Sequence, residues 1–361
     1  MNNKRTYIIA EAGVNHNGSL ELAKQLIDVA ADAGADAVKF QTFKTEKVIS
    51  RYARKADYQK QTTGEEETQF EMVKKLELSE EDHFELLAHS LERNIQLLST
   101  PFDTDSLNFL VNELSLASIK VPSGEITNAQ LLLEVSRTGK PIILSTGMST
   151  LGEIEDALAV LSFGYTMPKS KIPSMNAFKE AYCSDEGQKA LKSNVTILHC
   201  TTEYPAPLED VNLRIMDTLK SAFDLPVGFS DHTQGIAVAI AAAARGACLI
   251  EKHFTLDRSL PGPDHQASLE PKQLKEMIDS IRMVDIALGN GIKIPAKSEL
   301  KNKEIARKSL VAACEIKEGT TFSHDNIAIK RPGTGISPMA YWDYLGKKAT
   351  RSYREDEVIE N

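Results

Sequence analysis

Little in this chain suits it to a membrane, to disulfide bonding or to gripping nucleic acid. Its longest apolar run, "GIAVAIAAAARGACLI" at 235–250, is alanine-rich and broken by Arg245, so it does not read as a membrane span. The start, "MNNKRTYIIAEAG", carries no apolar core of signal-peptide length. Four cysteines (Cys183, Cys200, Cys248 and Cys314) lie far apart with no CxxC or zinc spacing, so reduced thiols and a cytoplasmic location are expected. Basic charge is in deficit, 42 Lys and Arg against 51 Asp and Glu, for a net charge of −9. That balance argues against nonspecific nucleic-acid binding, while a local basic pocket for a small anion remains open. No GxGxxG follows the first strand candidate, which counts against a doubly wound dinucleotide fold.

What is present is a regular alternation. Short β-rich runs occur at 7–13, 36–42, 95–101, 116–124, 141–147, 195–201, 226–232 and 247–254. Between them lie segments with apolar residues three and four apart. "SLELAKQLIDVAADAG" sets Ala23, Leu26, Ile27 and Ala30 on one face and stops at Gly34. "LSEEDHFELLAHSLERN" has Ser79 and Asp82 in capping-box spacing and an apolar set of Phe84, Leu87, Ala88 and Leu91. Thr150 and Glu153 repeat the device, and Pro271 opens a helix that ends at Gly289. Eight strands alternating with helices predict an α/β protein built on a closed (β/α)8 barrel, the TIM barrel. Residues 43–78 read as a polar insertion suited to a loop over the barrel mouth, and 163–193 as an irregular one without evident chemistry. The expected domains are a barrel at 1–288, a linker at 289–304 and a small β-rich module at 305–361.

In a parallel barrel every strand ends on one face, so the polar residues at those ends converge. They are Glu11, Lys39 with Gln41, Thr100, Lys120 with Ser123 and Glu125, Ser145, His199 with Tyr204, Ser230 with His232, and His253. His232 and His253 end neighbouring strands, an arrangement that can share one divalent ion whose other positions are filled by water or substrate oxygen. Lys39 and Lys120 end apolar runs, where an ammonium needs an acidic partner, Glu11 or Glu125, or an anionic ligand. Ser123, Ser145 and Ser230 beside two lysines suit a phosphate, and Glu11 and Glu125 are candidates for proton transfer.

The stretches "IIAEAGVNHNG", "VKFQT", "STPFD", "KVPSGE", "ILSTGM", "HCTTEYPAP", "GFSDHT", "EKHFT" and "PGPDH" together resemble the bacterial sialic acid synthases, within them the branch that makes N,N′-diacetyllegionaminate. "KRPGTGIS" in the tail is similar to the antifreeze-like (SAF) domain of that family. The resemblance implies condensation of phosphoenolpyruvate with an open-chain N-acetylated mannose-type sugar, with release of phosphate, on the way to cell-surface polysaccharide. It implies manganese or magnesium on His232 and His253. Phosphate would meet Lys120, Ser123, Ser145 and Ser230, and the carboxylate Lys39 and Thr100. Glu11 and Glu125 would be the acid and base, with Gln41, Tyr204 and Asp264 on the sugar. Arg331 would enter the site of a second copy in a homodimer with exchanged SAF domains.

Thr202 departs from the sialic acid branch, which has Asn there. That favours the 2,4-diacetamido-2,4,6-trideoxy sugar over N-acetylmannosamine, the substrate of an N-acetylneuraminate synthase. A pseudaminate synthase, a metal-dependent pyruvate aldolase and a non-catalytic sugar-binding protein are the other readings. No nucleic-acid or membrane partner is expected.

Overall fold

The computed structural model describes residues 5–56, 59, 60, 63, 64 and 66–360. They divide into two compact units, one ending at Asn290 and one beginning at Gly291. In the first, all eight expected strands form: β1 Tyr7–Gly13, β2 Ala37–Thr42, β3 Gln96–Pro101, β4 Ile119–Val121, β5 Ile142–Ser145, β6 Val195–His199, β7 Val227–Asp231 and β8 Leu249–His253. Every ladder between them is parallel, in the order β3-β2-β1-β8-β7-β6-β5-β4. β3 and β4, at the two ends of that order, pack side by side, which completes the barrel.

The strands read as apolar runs because both of their faces are buried. Ile9, Ala37, Leu98, Ile143, Leu198 and Leu249 form an inner cluster, one side chain from each of six strands. Side chains alternate along a strand, so the residue two further on again points inward. That step lands on Glu11, Lys39, Thr100, Ser145, Cys200 and Glu251, all of which line one cavity. Residues of the opposite parity, such as Ile8, Val38, Leu97 and Ile197, pack under the surrounding helices. The barrel interior is thus closed by an apolar floor, with polar groups layered above it.

The helix starts form as their sequences dictate. Ser79 with Asp82 and Thr150 with Glu153 make reciprocal capping boxes. The helix Glu80–Glu92, however, buries His83, Leu86 and Ser90, leaving Phe84 46% and Leu91 71% exposed. Two contacts set that rotation. His83 Nε2 lies 2.8 Å from Thr42 Oγ1 on β2, and its ring packs edge-on against Phe109.

The stretch 163–193 is helical rather than irregular. It holds the end of Leu151–Thr166 and the helices Met175–Tyr182 and Asp185–Asn194, each of these two opened by a serine cap. Phe163 packs edge-to-face on Phe178 at 5.2 Å, which docks the added layer. Among the described residues, no helix is long and apolar enough to cross a membrane.

The second unit pairs β9 Ser309–Ala312 antiparallel with β10 Ile327–Lys330 around a small core of Leu310, Ile316, Phe322, Tyr353 and Ile359. The expected linker is not bare chain. It carries a helical turn, Lys297–Glu299, and the helix Leu300–Ala306, which the tail holds through Gly333 N–H to the Glu304 carbonyl at 2.7 Å.

Candidate active site

A cavity of about 300 Å³ opens at the C-terminal ends of the barrel strands. It is lined by Glu11, Lys39, Gln41, Thr100, Lys120, Ser123, Ser145, Thr202, Tyr204, Ser230, His232, His253 and Asp264, which is most of the set expected from the sequence. Three expected residues are elsewhere. Glu125 does not line the cavity; it sits on the turn after β4, where its Oε2 accepts from Asn128 Nδ2 at 2.7 Å. His199 has outward parity, between inward Leu198 and Cys200, and its Nε2 is 2.6 Å from the Val211 carbonyl. Arg331 is on the second unit, exposed, with Nε–H donating to the Ala306 carbonyl at 3.1 Å.

The lysines do find carboxylates, though one partner is not among the residues expected from the sequence. Lys39 Nζ is 2.5 Å from Glu11 and 3.6 Å from Glu251, and donates to Thr100 Oγ1 at 3.0 Å. Lys120 Nζ is 3.4 Å from Glu251, whose Oε1 also accepts from Ser230 Oγ at 2.8 Å. All four charged groups are nearly inaccessible to solvent. Burial, reinforced by the Glu251 charge, outweighs Lys39 and pushes Glu11 up to about 7. Burial also acts to raise Glu251, but Lys120 and Lys39 prevail and hold it at about 2. The two carboxyls are thereby driven apart in acidity, the pattern that separates a proton carrier from a fixed counter-ion. Burial acts to lower both lysines; Glu11 and Glu251 outweigh it at Lys39, which is raised, whereas at Lys120 burial prevails over Glu251 and the shift is downward.

Beside the quartet, with Ser230 Oγ 3.4 Å from His232 Nε2, His232 and His253 approach to 5.7 Å between ring centroids. His232 Nδ1–H donates to the Thr201 carbonyl at 2.6 Å, which leaves the Nε2 lone pair directed toward Tyr204 and Ser230. His253 Nδ1 is buried with no hydrogen-bond partner among the described residues. Burial lowers His232 to about 4, and burial followed by the His232 neighbour holds His253 well below its ordinary value. Both rings are therefore neutral at pH 7. Asp264 is raised to about 6 by burial alone.

The NeuB family model matches residues 26–293, and the SAF domain model matches 307–361. The chain belongs to the NeuB family. It is 54% identical over 356 residues to the N,N′-diacetyllegionaminic acid synthase of Campylobacter jejuni, covering 99% of each chain. A protein of the same name from Legionella pneumophila is 44% identical over 344 residues, 95% of this chain and 90% of that one. Among solved structures, the N-acetylneuraminic acid (sialic acid) synthetase of Leptospira borgpetersenii, in complex with citrate, aligns with a TM-score of 0.66. It is 35% identical, over 83% of this chain and 90% of that chain.

The donors of the histidine pair of this NeuB-family chain suit a divalent ion: two neutral imidazoles, one with its Nε2 lone pair turned to the Tyr204 and Ser230 hydroxyls and one with an orphaned buried nitrogen. No group of three or more His, Cys, Asp or Glu side chains is arranged to hold a metal among the described residues, so an ion on this pair would need further ligands from water or substrate. Glu251 could have been found by counting back two from His253 in "EKH", since both have inward parity. The cleft also has an apolar side that composition conceals, because it comes largely from the polar insertion at 43–78.

Proposed function

We propose that this protein condenses phosphoenolpyruvate with the open-chain form of 2,4-diacetamido-2,4,6-trideoxymannose, giving N,N′-diacetyllegionaminate and inorganic phosphate. The observation that carries the reaction is the cavity in which two buried lysines, a proton-holding carboxyl and two neutral imidazoles meet. Identity across the full chain to a synthase of that product supports the choice of sugar.

Lys120, Ser123, Ser145 and Ser230 take the phosphate group, and Lys39 with Thr100 takes the carboxylate, so the two anionic ends of phosphoenolpyruvate fix its methylene carbon in place. That carbon attacks the aldehyde carbon, forming the C–C bond, while Glu11 gives its proton to the aldehyde oxygen. Water then adds at the neighbouring carbon and the C–O bond to phosphate breaks, leaving a ketone. Of the two water protons, one returns to Glu11 and the other leaves on phosphate. A manganese or magnesium ion held by His232 and His253 would supply electrophilic activation of the aldehyde oxygen and orientation of water. Gln41, Thr202, Tyr204 and Asp264 hold the sugar. Glu125, next in sequence to the cavity-lining Gly124, serves as a second proton-transfer group, and Arg331 serves the cleft of a second copy in a cytoplasmic homodimer with exchanged SAF domains.

The test is phosphate release from phosphoenolpyruvate with manganese or magnesium, across a panel of acetamido sugars, with the product identified by mass. The expected result is a kcat/KM at least about tenfold higher for the trideoxy sugar than for N-acetylmannosamine. No phosphate with any sugar, or product formed from pyruvate instead, overturns the proposal.

A further inference from the structure

The cleft has two unlike ends. Its floor is the charged quartet on the strands, and past the strand ends the lining turns to Phe43, Val48, Met72, Val73, Leu76 and Phe102, together with Ile49 and Gln59. Val14, Phe43 and Leu76 make a cluster separate from the two barrel cores, with Val48, Val73 and Phe102 half-buried against it. Phe102 follows β3; Phe43, Val48, Met72, Val73 and Leu76 all lie in the insertion at 43–78.

This wall is anchored. Phe43 and Phe102 pack edge-to-face at 6.1 Å, and Thr45 N–H donates to Glu77 Oε1 at 2.7 Å across the insertion. Gly18, after β1, lies so close to the far end of the insertion that a Cβ there would meet the Lys75 carbonyl oxygen at 2.3 Å. These six apolar side chains offer a ligand no hydrogen bond, and Gln59 is the polar side chain that the same insertion adds to the lining.

We infer, building on the reaction proposed above, that this wall is the specificity surface for the end of the sugar remote from the aldehyde. It receives the C6 methyl group and the acyl methyl of the C4 acetamido group, and disfavours sugars with hydroxyls there. The aldehyde must meet phosphoenolpyruvate over the floor, so the far carbons extend toward the other end of the cleft. A hydroxyl brought against Val48, Val73 and Phe102 gives up water and gains no partner, whereas a methyl group gains contact.

Thr202 does not supply this surface. Its Oγ1 gathers with Cys200 Sγ and Ser123 Oγ around Gly147, where an added Cβ would meet the three at 2.3, 2.9 and 2.9 Å. Thr202 therefore belongs to the polar end of the cleft, and its departure from Asn is not what makes an apolar pocket. A wall of this kind discriminates by about tenfold to a few hundredfold, since apolar pockets reject an added hydroxyl only moderately.

The experiment is the double substitution Val48→Thr with Val73→Thr, which keeps shape and adds two hydroxyls. Phosphate release is followed with 2,4-diacetamido-2,4,6-trideoxymannose and with N-acetylmannosamine. The expected result is a fall of about tenfold in the ratio of the two kcat/KM values, with the KM for phosphoenolpyruvate unchanged. Thr202→Asn should move the ratio by less. An unchanged ratio in a double variant that melts like the wild type overturns the inference alone. Should the double variant not fold, Val48→Thr by itself is read in the same way, with a shift of about threefold expected. A wild-type protein that releases no phosphate with either sugar overturns the underlying reaction, and the inference with it.

Discussion

Asp231 and Lys252 face each other across β7 and β8, Oδ2 to Nζ 2.9 Å, with neither side chain exposed. Each stands in sequence between two cleft residues, Asp231 between Ser230 and His232 and Lys252 between Glu251 and His253. The pair points away from the cavity and pins the strand ends at the level where the imidazoles point in. Lys252 also donates to the Thr233 carbonyl, and Asp231 Oδ1 accepts from Thr233 N and Oγ1 at 2.9 and 2.8 Å.

Removing one partner should therefore be worse than removing both. Lys252→Met leaves a buried carboxylate without its cation and is expected to cost about 3–5 kcal/mol in urea unfolding. Adding Asp231→Asn should recover part of that loss, because no uncompensated charge then remains. A Lys252→Met protein as stable as the wild type would show that the pair contributes nothing to holding these strands.

A second expectation concerns acid. His16 is fully buried; its Nδ1 accepts from Gly18 N at 3.0 Å, and its ring packs near Phe40. Burial, with His83 and His265 nearby, lowers it from 6.5 to about 4. A depressed basic group contributes stability that is present above its unfolded value and lost as pH falls from 6.5 through 4. The full loss for this one side chain is on the order of 3 kcal/mol. His16→Asn keeps an acceptor for Gly18 and cannot titrate, so its unfolding free energy should fall less steeply between pH 7 and 4, by about one proton. Equal slopes for the two proteins would count against a neutral buried His16.

The barrel and most of its mouth are legible in the sequence because strand parity is simple. An apolar run that ends in Glu11, Lys39, Ser145 or His253 announces a buried polar group at a place where burial is expensive. Parity also explains the two errors at the mouth. His199 lies between inward Leu198 and Cys200 and must point out, while Glu251 shares the parity of His253 and must point in. The apolar wall is hidden for a different reason. Phe43 is far in sequence from Met72 and Leu76 within a stretch rich in charge, and only the fold brings them together. The rotation of Glu80–Glu92 is equally hidden, since it depends on His83 reaching Thr42, a contact 41 residues away in sequence.

If SAF domains are exchanged between copies, as proposed above, two inactive chains should complement each other. Arg331→Ala lacks the contributed arginine, and Lys120→Ala lacks the anion site, so each homodimer should be nearly inactive. In a mixed dimer, one cleft combines an intact Lys120 from one copy with an intact Arg331 from the other. Random reassembly should restore about a quarter of wild-type activity, since half the dimers are mixed and each has one complete site. No recovery, with mixed dimers demonstrated by mass, would place Arg331 outside the partner's cleft.

The last expectation separates chemistry from stability at one residue. Glu11 is raised from 4.5 to about 7 by burial, with Glu251 adding and Lys39 opposing. If it gives a proton to the aldehyde oxygen, kcat/KM should fall as pH rises through about 7. Glu11→Gln should lose that limb and about two to four orders of magnitude in kcat. Stability falls with rising pH as well, but the substitution acts on it in the opposite sense. A carboxyl raised in the folded state favours folding fully below its unfolded value, and that advantage is lost as pH climbs from 4.5 through 7. Glutamine carries no such penalty above pH 7, so Glu11→Gln should be at least as stable as the wild type there while being nearly inactive. Phosphate release and urea unfolding, measured on the same two proteins from pH 5 to 9, read both effects. A Glu11→Gln variant that keeps the alkaline limb would assign the proton to another group, and one that is less stable at pH 8 would show that the Lys39 ion pair outweighs burial.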